Sequence, residues 1–70
     1  MEVFPGISVD PAIRFGKPCI VGTRVDVATV VGALGAGESS ESVEQNYQLT
    51  PEQVLTALRY AALVAAHQAA

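Results

Sequence analysis

Leu49-Thr50-Pro51-Glu52-Gln53-Val54 is the stretch whose reading decides how this chain folds. Thr50 suits a helix N-cap, because its hydroxyl accepts an N–H of the first turn; Pro51 suits the first helical position, and Gln53 stands where its side chain reaches back to close a capping box. Leu49 and Val54 supply the apolar pair of a hydrophobic staple. The pattern predicts a helix starting at Pro51 and apolar on nearly every side from Val54 to about Ala66, with Thr56 and Arg59 as the exceptions. A helix apolar all round is normally buried all round.

Working outward, Ser39 is placed to cap a short helix running to about Tyr47, with Glu41 in the first turn, where the helix dipole favours negative charge. Val43 and Tyr47 form its i, i+4 apolar pair. Before it, Asp26 is an N-cap for a helix from about Val27 to Ala36, in which Val27, Val30, Val31 and Leu34 keep to one stripe. Gly37 then fits the left-handed position that ends a helix. Gly32 and Gly35 cost that helix roughly 1 kcal/mol each against alanine, so either a second backbone approaches closely there or the helix tolerates them.

Residues 1 to 25 are rich in turn formers: Pro5-Gly6, Asp10-Pro11, Gly16-Lys17-Pro18 and Gly22-Thr23 separate short β-branched pieces. Strands are expected at Ile7 to Val9 and Cys19 to Val21. Pro11 and Pro18 have no N–H to donate and must lie outside any central strand. The expected fold is mainly α: a three-helix, helix-turn-helix-like domain with a small N-terminal β-hairpin layer, forming one domain over residues 1–70.

Such a domain is marginal, because a chain of 70 residues buries only about 60% of the surface its unfolded state exposes. Cys19 is the sole cysteine, which rules out an internal disulfide, and no Cys, His or carboxylate cluster has metal-ligand spacing. No metal and no cofactor are therefore expected. Half of the residues are hydrophobic, so the surplus apolar surface points to self-association. The first twenty residues hold Glu2, Asp10, Pro5 and Pro11 and do not resemble a secretory leader, and the apolar run from Ala57 to Ala66 falls short of the ~20 residues a bilayer span needs. A cytoplasmic location with no membrane partner is expected.

Catalysis is not expected. Cys19, between Pro18 and Ile20, reads as a small buried apolar residue, and His67 as a residue of a fraying helix end, far from it in sequence. Glu38, Glu41 and Glu44 read as the solvated face and first turn of a helix. Gly16-Lys17-Pro18 resembles the end of a phosphate loop, but Pro18 stands where Ser or Thr is required and Pro11 where the leading glycine belongs. No acid, base, nucleophile and oxyanion donor set assembles, so the chain is not expected to be an enzyme.

Charge is segregated instead. The net charge is -3, yet Arg14, Lys17 and Arg24 lie in the first third, whereas Glu38, Glu41, Glu44 and Glu52 follow with no base before Arg59. Arg14, Lys17 and Arg24 are the expected DNA-binding cations. Gln53, at the start of the third helix, is positioned to read adenine, although Glu52 beside it repels phosphates. Along that helix Leu58, Ala61, Ala62 and Ala65 trace one face, expected to enter the core, and Tyr60, Leu63, Val64 and His67 trace another, expected to form the interface of an obligate homodimer.

The order of motifs is also familiar. Ile7-Ser8-Val9-Asp10-Pro11, Gly16-Lys17-Pro18-Cys19-Ile20-Val21-Gly22-Thr23-Arg24-Val25, Gly35-Ala36-Gly37-Glu38-Ser39 and Leu49-Thr50-Pro51-Glu52-Gln53-Val54 together resemble domain-of-unknown-function family four hundred thirty-three. The resemblance implies a helix-turn-helix-like domain, often encoded beside a PIN-like nuclease toxin, and hence an antitoxin-like module that is dimeric and DNA-binding. It supplies no catalytic residues. The sequence carries no long tail after its third helix to wrap a toxin, so either that helix binds the toxin or this copy has another role. A stand-alone dimeric DNA-binding transcription regulator is the alternative reading.

Overall fold

Three very short strands form the N-terminal layer of the computed structural model, which describes residues 1–67; the last three residues of the expected domain lie outside the described residues. β1 (Glu2–Phe4) turns through Pro5 and Gly6 into β2 (Ile7–Ser8), and β2 pairs on its other edge with β3 (Cys19–Ile20), all antiparallel. The register places Ile7 opposite Ile20 and Ser8 opposite Cys19. The sequence predicted two strands; β1 is an addition. Pro11 and Pro18 stay outside the strands, as their missing N–H requires.

The turn after β3 shows why Gly22 and Thr23 stand together. Gly22 takes φ +80°, the left-handed value that the third position of a type II turn demands, and the Thr23 N–H donates to the Ile20 carbonyl at 3.0 Å. The Thr23 hydroxyl also donates to that carbonyl at 2.8 Å and accepts from the Val25 N–H at 3.1 Å. The chain thus folds back beside β3: the Ile20 N–H donates to the Val25 carbonyl, Cys19 faces Asp26, and the Val27 N–H donates to the Pro18 carbonyl.

Three helices follow, each begun by its expected cap. In α1 (Val27–Gly35), the Asp26 carboxylate accepts from the Thr29 N–H at 2.7 Å; in α2 (Ser40–Tyr47), the Ser39 hydroxyl accepts from the Ser42 N–H at 3.1 Å. Gly37, at φ +99°, closes α1, with its N–H on the Leu34 carbonyl and that of Glu38 on the Ala33 carbonyl. In α3 (Pro51–Ala66) both halves of the capping box form: the Gln53 N–H donates to the Thr50 hydroxyl at 3.1 Å, and the Thr50 N–H donates to the Gln53 side-chain carbonyl at 2.8 Å.

The core lies between sheet and helices and consists of Ile7, Ile20, Val27, Val30, Val43, Leu49, Val54 and Ala57. Its contribution from α3 differs from the sequence expectation. Val54 and Ala57 are buried and Ala61 half-buried, whereas Leu58 is exposed and so are Ala62 and Ala65. The inward stripe therefore starts at the staple residue Val54 and runs i, i+3, i+7, because the cap at Thr50 and the buried Leu49 fix the rotation of the helix. Tyr60, assigned above to the outer face, is half-buried, with its ring edge-on to Phe4 at a centroid separation of 5.5 Å.

Gly6 shows how tightly the sheet seats on α3. It takes φ +87°, and a Cβ there would come within 2.8 Å of the Thr56 methyl carbon. Around Gly32 and Gly35, by contrast, a Cβ would meet nothing within 4 Å, so no neighbouring backbone of the described residues explains those glycines.

Candidate interaction site

Two surfaces hold the residues expected to make contacts. The first is an apolar groove lined by Val3 of β1 and by Tyr60, Leu63, Val64 and His67 of α3 and its end. All four helical residues expected at an interface meet there because they recur on one side of a helix that outruns the core. Leu63 is 41% exposed and Val64 38% exposed. His67 Nδ1 lies 2.8 Å from the Leu63 carbonyl, which draws the ring onto the last turn. On the opposite flank of Val64, a second groove is lined by Pro18, by Val27, Ala28 and Val31 of α1, and by Ala61 and Ala65 of α3. Val64 is the ridge between the two.

The second surface is the ribbon from Ile13 to Asp26, which carries the expected DNA-binding cations. Arg14 is not free: its Nε and Nη2 lie 3.2 and 3.1 Å from Asp26 Oδ2, and the Asp26 side chain is only 2% exposed. Burial on its own raises the pKa of the Asp26 carboxyl. The hydrogen bonds from Thr29, followed by the Arg14 guanidinium, outweigh that and hold it below the usual carboxylate range. One carboxylate thus caps α1 and fixes the loop before β3. Lys17 and Arg24 are exposed and make no ion pair among the described residues. Gln53 is positioned by α3, but its side-chain carbonyl is taken by the capping box, which withdraws the acceptor half of an adenine-reading pair. Arg59 pairs with Glu52 at 2.7 Å on the exposed side of α3, so the first turns of that helix present no unpaired cation.

Sequence reasoning passed over the residue between the cations. Arg14 and Phe15 take φ 52° and φ 58°, adjacent left-handed conformations that cost non-glycine residues roughly 1–2 kcal/mol each. The turn is closed by the Gly16 N–H on the Ile13 carbonyl and the Lys17 N–H on the Arg14 carbonyl, both at 3.1 Å. Its product is a Phe15 side chain that is 97% exposed. The local pattern hides it, because Ile13 and Phe15 flank Arg14 in strand-like alternation, and Gly16 is the one local mark of a turn.

Cys19 is buried, as expected, and its thiol donates to the Lys17 carbonyl at 3.3 Å. Burial pushes the thiol pKa up, the Asp26 carboxylate adds to this, and Arg14 opposes it. No group of three His, Cys, Asp or Glu side chains able to hold a metal ion occurs among the described residues. No helix among them is long and apolar enough to cross a membrane.

Comparison with known proteins adds a curated match and a solved structure. The chain is 38% identical over 52 residues to a Mycobacterium tuberculosis protein named "Putative antitoxin VapB45", a match covering 74% of this chain and 22% of that protein. The crystal structure of Rv2018 from Mycobacterium tuberculosis superposes with a TM-score of 0.68 at 38% identity, over 74% of this chain and 24% of the other. The chain thus spans under a quarter of the length of each match. Residues 7–61 match the family described as "Protein of unknown function (DUF433)", a stretch that begins at β2, contains the Arg14–Asp26 ribbon and ends within α3, and the chain belongs to that family.

Proposed function

We propose that this chain is an antitoxin-like, non-enzymatic interaction module that works as a homodimer, binds a PIN-like nuclease toxin and contacts DNA. The observation that carries the reading is the apolar groove of Val3, Tyr60, Leu63, Val64 and His67, which the described residues leave open. Burying a side chain such as Leu63 or Val64 contributes roughly 1.5–3 kcal/mol at full burial, a large share of the stability of a domain this small. Pairing across a two-fold axis is the commonest way for a small domain to cover such a stripe. The name given to the mycobacterial relative supports the antitoxin half of the reading.

α2 and α3, joined by residues 48–50, have the proportions of a helix-turn-helix. The exposed cations Lys17 and Arg24 are the side chains of this chain best suited to phosphates, and Arg14 contributes by shaping their loop. Location in the cytoplasm follows from the same role.

The deciding experiment is copurification of the chain with the product of the adjacent gene, co-expressed from its natural operon. Recovery of a stable complex containing a small nuclease supports the reading; an adjacent product that does not copurify removes the toxin half of it. Light scattering at micromolar concentration tests the dimer, which Leu63→Glu is expected to dissociate. A well-folded monomer from the unmodified chain overturns the dimer.

A further inference from the structure

We infer that the Arg14–Lys17 turn is a stacking platform for nucleic acid, with Phe15 as the aromatic face that packs on a base and Lys17 and Arg24 as the flanking phosphate contacts. The inference rests on the nucleic-acid half of the function proposed above. It moves the contact from the start of α3 to the β-ribbon. At α3 the capping box occupies the acceptor of Gln53 and Glu52 pairs with Arg59, which leaves the start of that helix, among the described residues, with no complete adenine reader and no unpaired cation.

The ribbon has what α3 lacks. Phe15 is 97% exposed, the highest value among the exposed large apolar residues, and left-handed backbone at both Arg14 and Phe15 holds it out. The Arg14–Asp26 pair anchors that backbone to the first turn of α1, so the ring is presented on a support fixed in advance. Lys17 and Arg24, the two cationic side chains among Lys and Arg that pair with no carboxylate of the described residues, both belong to this ribbon. Pro18 pairs with Val27 and Ile20 with Val25, so Lys17 and Arg24 sit near opposite ends of the paired segment. Their backbones are about four strand residues apart, roughly 13 Å at 3.3 Å per residue. A span of that size suits contacts to phosphates two nucleotides apart along one strand, with the bases between them free to meet the ring.

The same observations count against a protein pocket as the occupant. The exposed neighbours of Phe15 within the turn are Arg14 and Lys17, with Gly16 half-buried between Phe15 and Lys17, so within the turn the ring is flanked by cations and not by the large apolar side chains that centre a protein interface. A lone aromatic among cations matches the way single strands are bound, by ring on base and cation on phosphate. An apolar wedge entering a duplex step uses the same chemistry.

The chain has no tryptophan, so Phe15→Trp introduces a unique fluorophore at the platform. Titrating this variant in low salt with a 12-nucleotide single-stranded DNA, and separately with a 12-base-pair duplex, reads stacking as quenching. Quenching by the single strand alone assigns single strands as the target, and quenching by the duplex assigns wedge insertion; either supports the platform. Phe15→Ala is expected to weaken binding on the order of tenfold while leaving the salt slope unchanged, because it removes stacking and no charge. Lys17→Ala is expected to flatten the slope of log K against log salt by about 0.7–0.9.

If the unmodified chain binds neither probe, the platform and the nucleic-acid half of the proposed function both fall, and toxin binding stands untouched. If it binds and Phe15→Ala is neutral, the platform alone falls. Blue-shifted Trp emission on concentrating the variant without nucleic acid would show a second copy covering the ring, which also overturns the platform.

Discussion

The two halves of α3 are built from similar residues and meet different fates. From Pro51 to Tyr60 the helix is held at its start by the capping box, along its side by the burial of Val54 and Ala57, and from above by Gly6 against Thr56. From Ala61 to Ala66 it is no less apolar, yet only Ala61 is half-buried and Leu63 and Val64 stand in two open grooves. Hydrophobicity alone does not say what a residue is buried against. The first half belongs to the core of this domain, and the second is a surface composed like a core.

Substitutions along and around α3 should separate the halves. The largest effect is expected from Ala57→Asp, which places a carboxylate at a fully buried position with no partner; a penalty of about 4 kcal/mol or more should abolish folding, read as loss of the helical circular-dichroism signal. A variant that still melts cooperatively would mean the first half is not core.

Asp26→Asn compares the start of α1 with that of α3. Hydrogen bonds to a charged group are worth roughly 1.5–3 kcal/mol, so a loss on that order is expected at neutral pH. Because the folded-state pKa of Asp26 lies below its unfolded value, the carboxylate stabilises the fold fully above the ordinary carboxylate pKa of about 3.9, and its contribution disappears as pH falls through the folded value. Urea midpoints of the unmodified chain should fall more steeply in that acid range than those of the variant. Parallel pH profiles would show that the fold does not lower the Asp26 pKa and that the Thr29 and Arg14 contacts do not favour its carboxylate.

Gly6→Ala is expected to cost about 2 kcal/mol, from its left-handed φ together with the 2.8 Å approach to Thr56. Adding Thr56→Ser removes the offending methyl and should recover the steric part while leaving the backbone part, a non-additivity measurable in a double-mutant cycle. Strict additivity would show that the sheet does not seat on α3 there. Thr50→Ala, which removes one side of the capping box, should cost about 1 kcal/mol in thermal or urea unfolding.

The smallest intrinsic effect is expected in the second half. With dissociated chains, Leu63→Glu should alter stability by no more than about 0.5 kcal/mol, since the side chain is already 41% exposed. The urea midpoint of the unmodified chain should rise with protein concentration and that of the variant should not. A large loss in the dilute variant would place Leu63 in the monomer core and erase the distinction between the halves.

The helices were legible because their starts are chemical statements: Asp26, Ser39 and Thr50 each accept the N–H that their position requires. β1 was missed because three residues before Pro5 carry too little pattern to mark a strand. The face of α3 was misjudged because a helix apolar on most sides offers several stripes at helical spacing, and only the cap and the core decide among them. Within the candidate site, the four residues of the α3 groove were readable from periodicity. The Arg14–Asp26 pair was not, because it depends on the ribbon folding back, and neither was the outward Phe15, because no local rule predicts two successive left-handed residues.

The seat of Gly6 on Thr56 and the covering of Ile7 by the core have a consequence for biosynthesis. The α3 partners of the β-hairpin lie some fifty residues downstream of it, so β1 and β2 are synthesised, and β3 after them, well before the helix that Gly6 seats on. At about 5–20 residues per second, that interval lasts roughly 3–10 s before Val54 and Ala57 arrive. An isolated two-stranded hairpin is marginal in water, so the nascent chain should remain largely unfolded through the synthesis of α1 and α2 and condense only when the first half of α3 clears the exit tunnel.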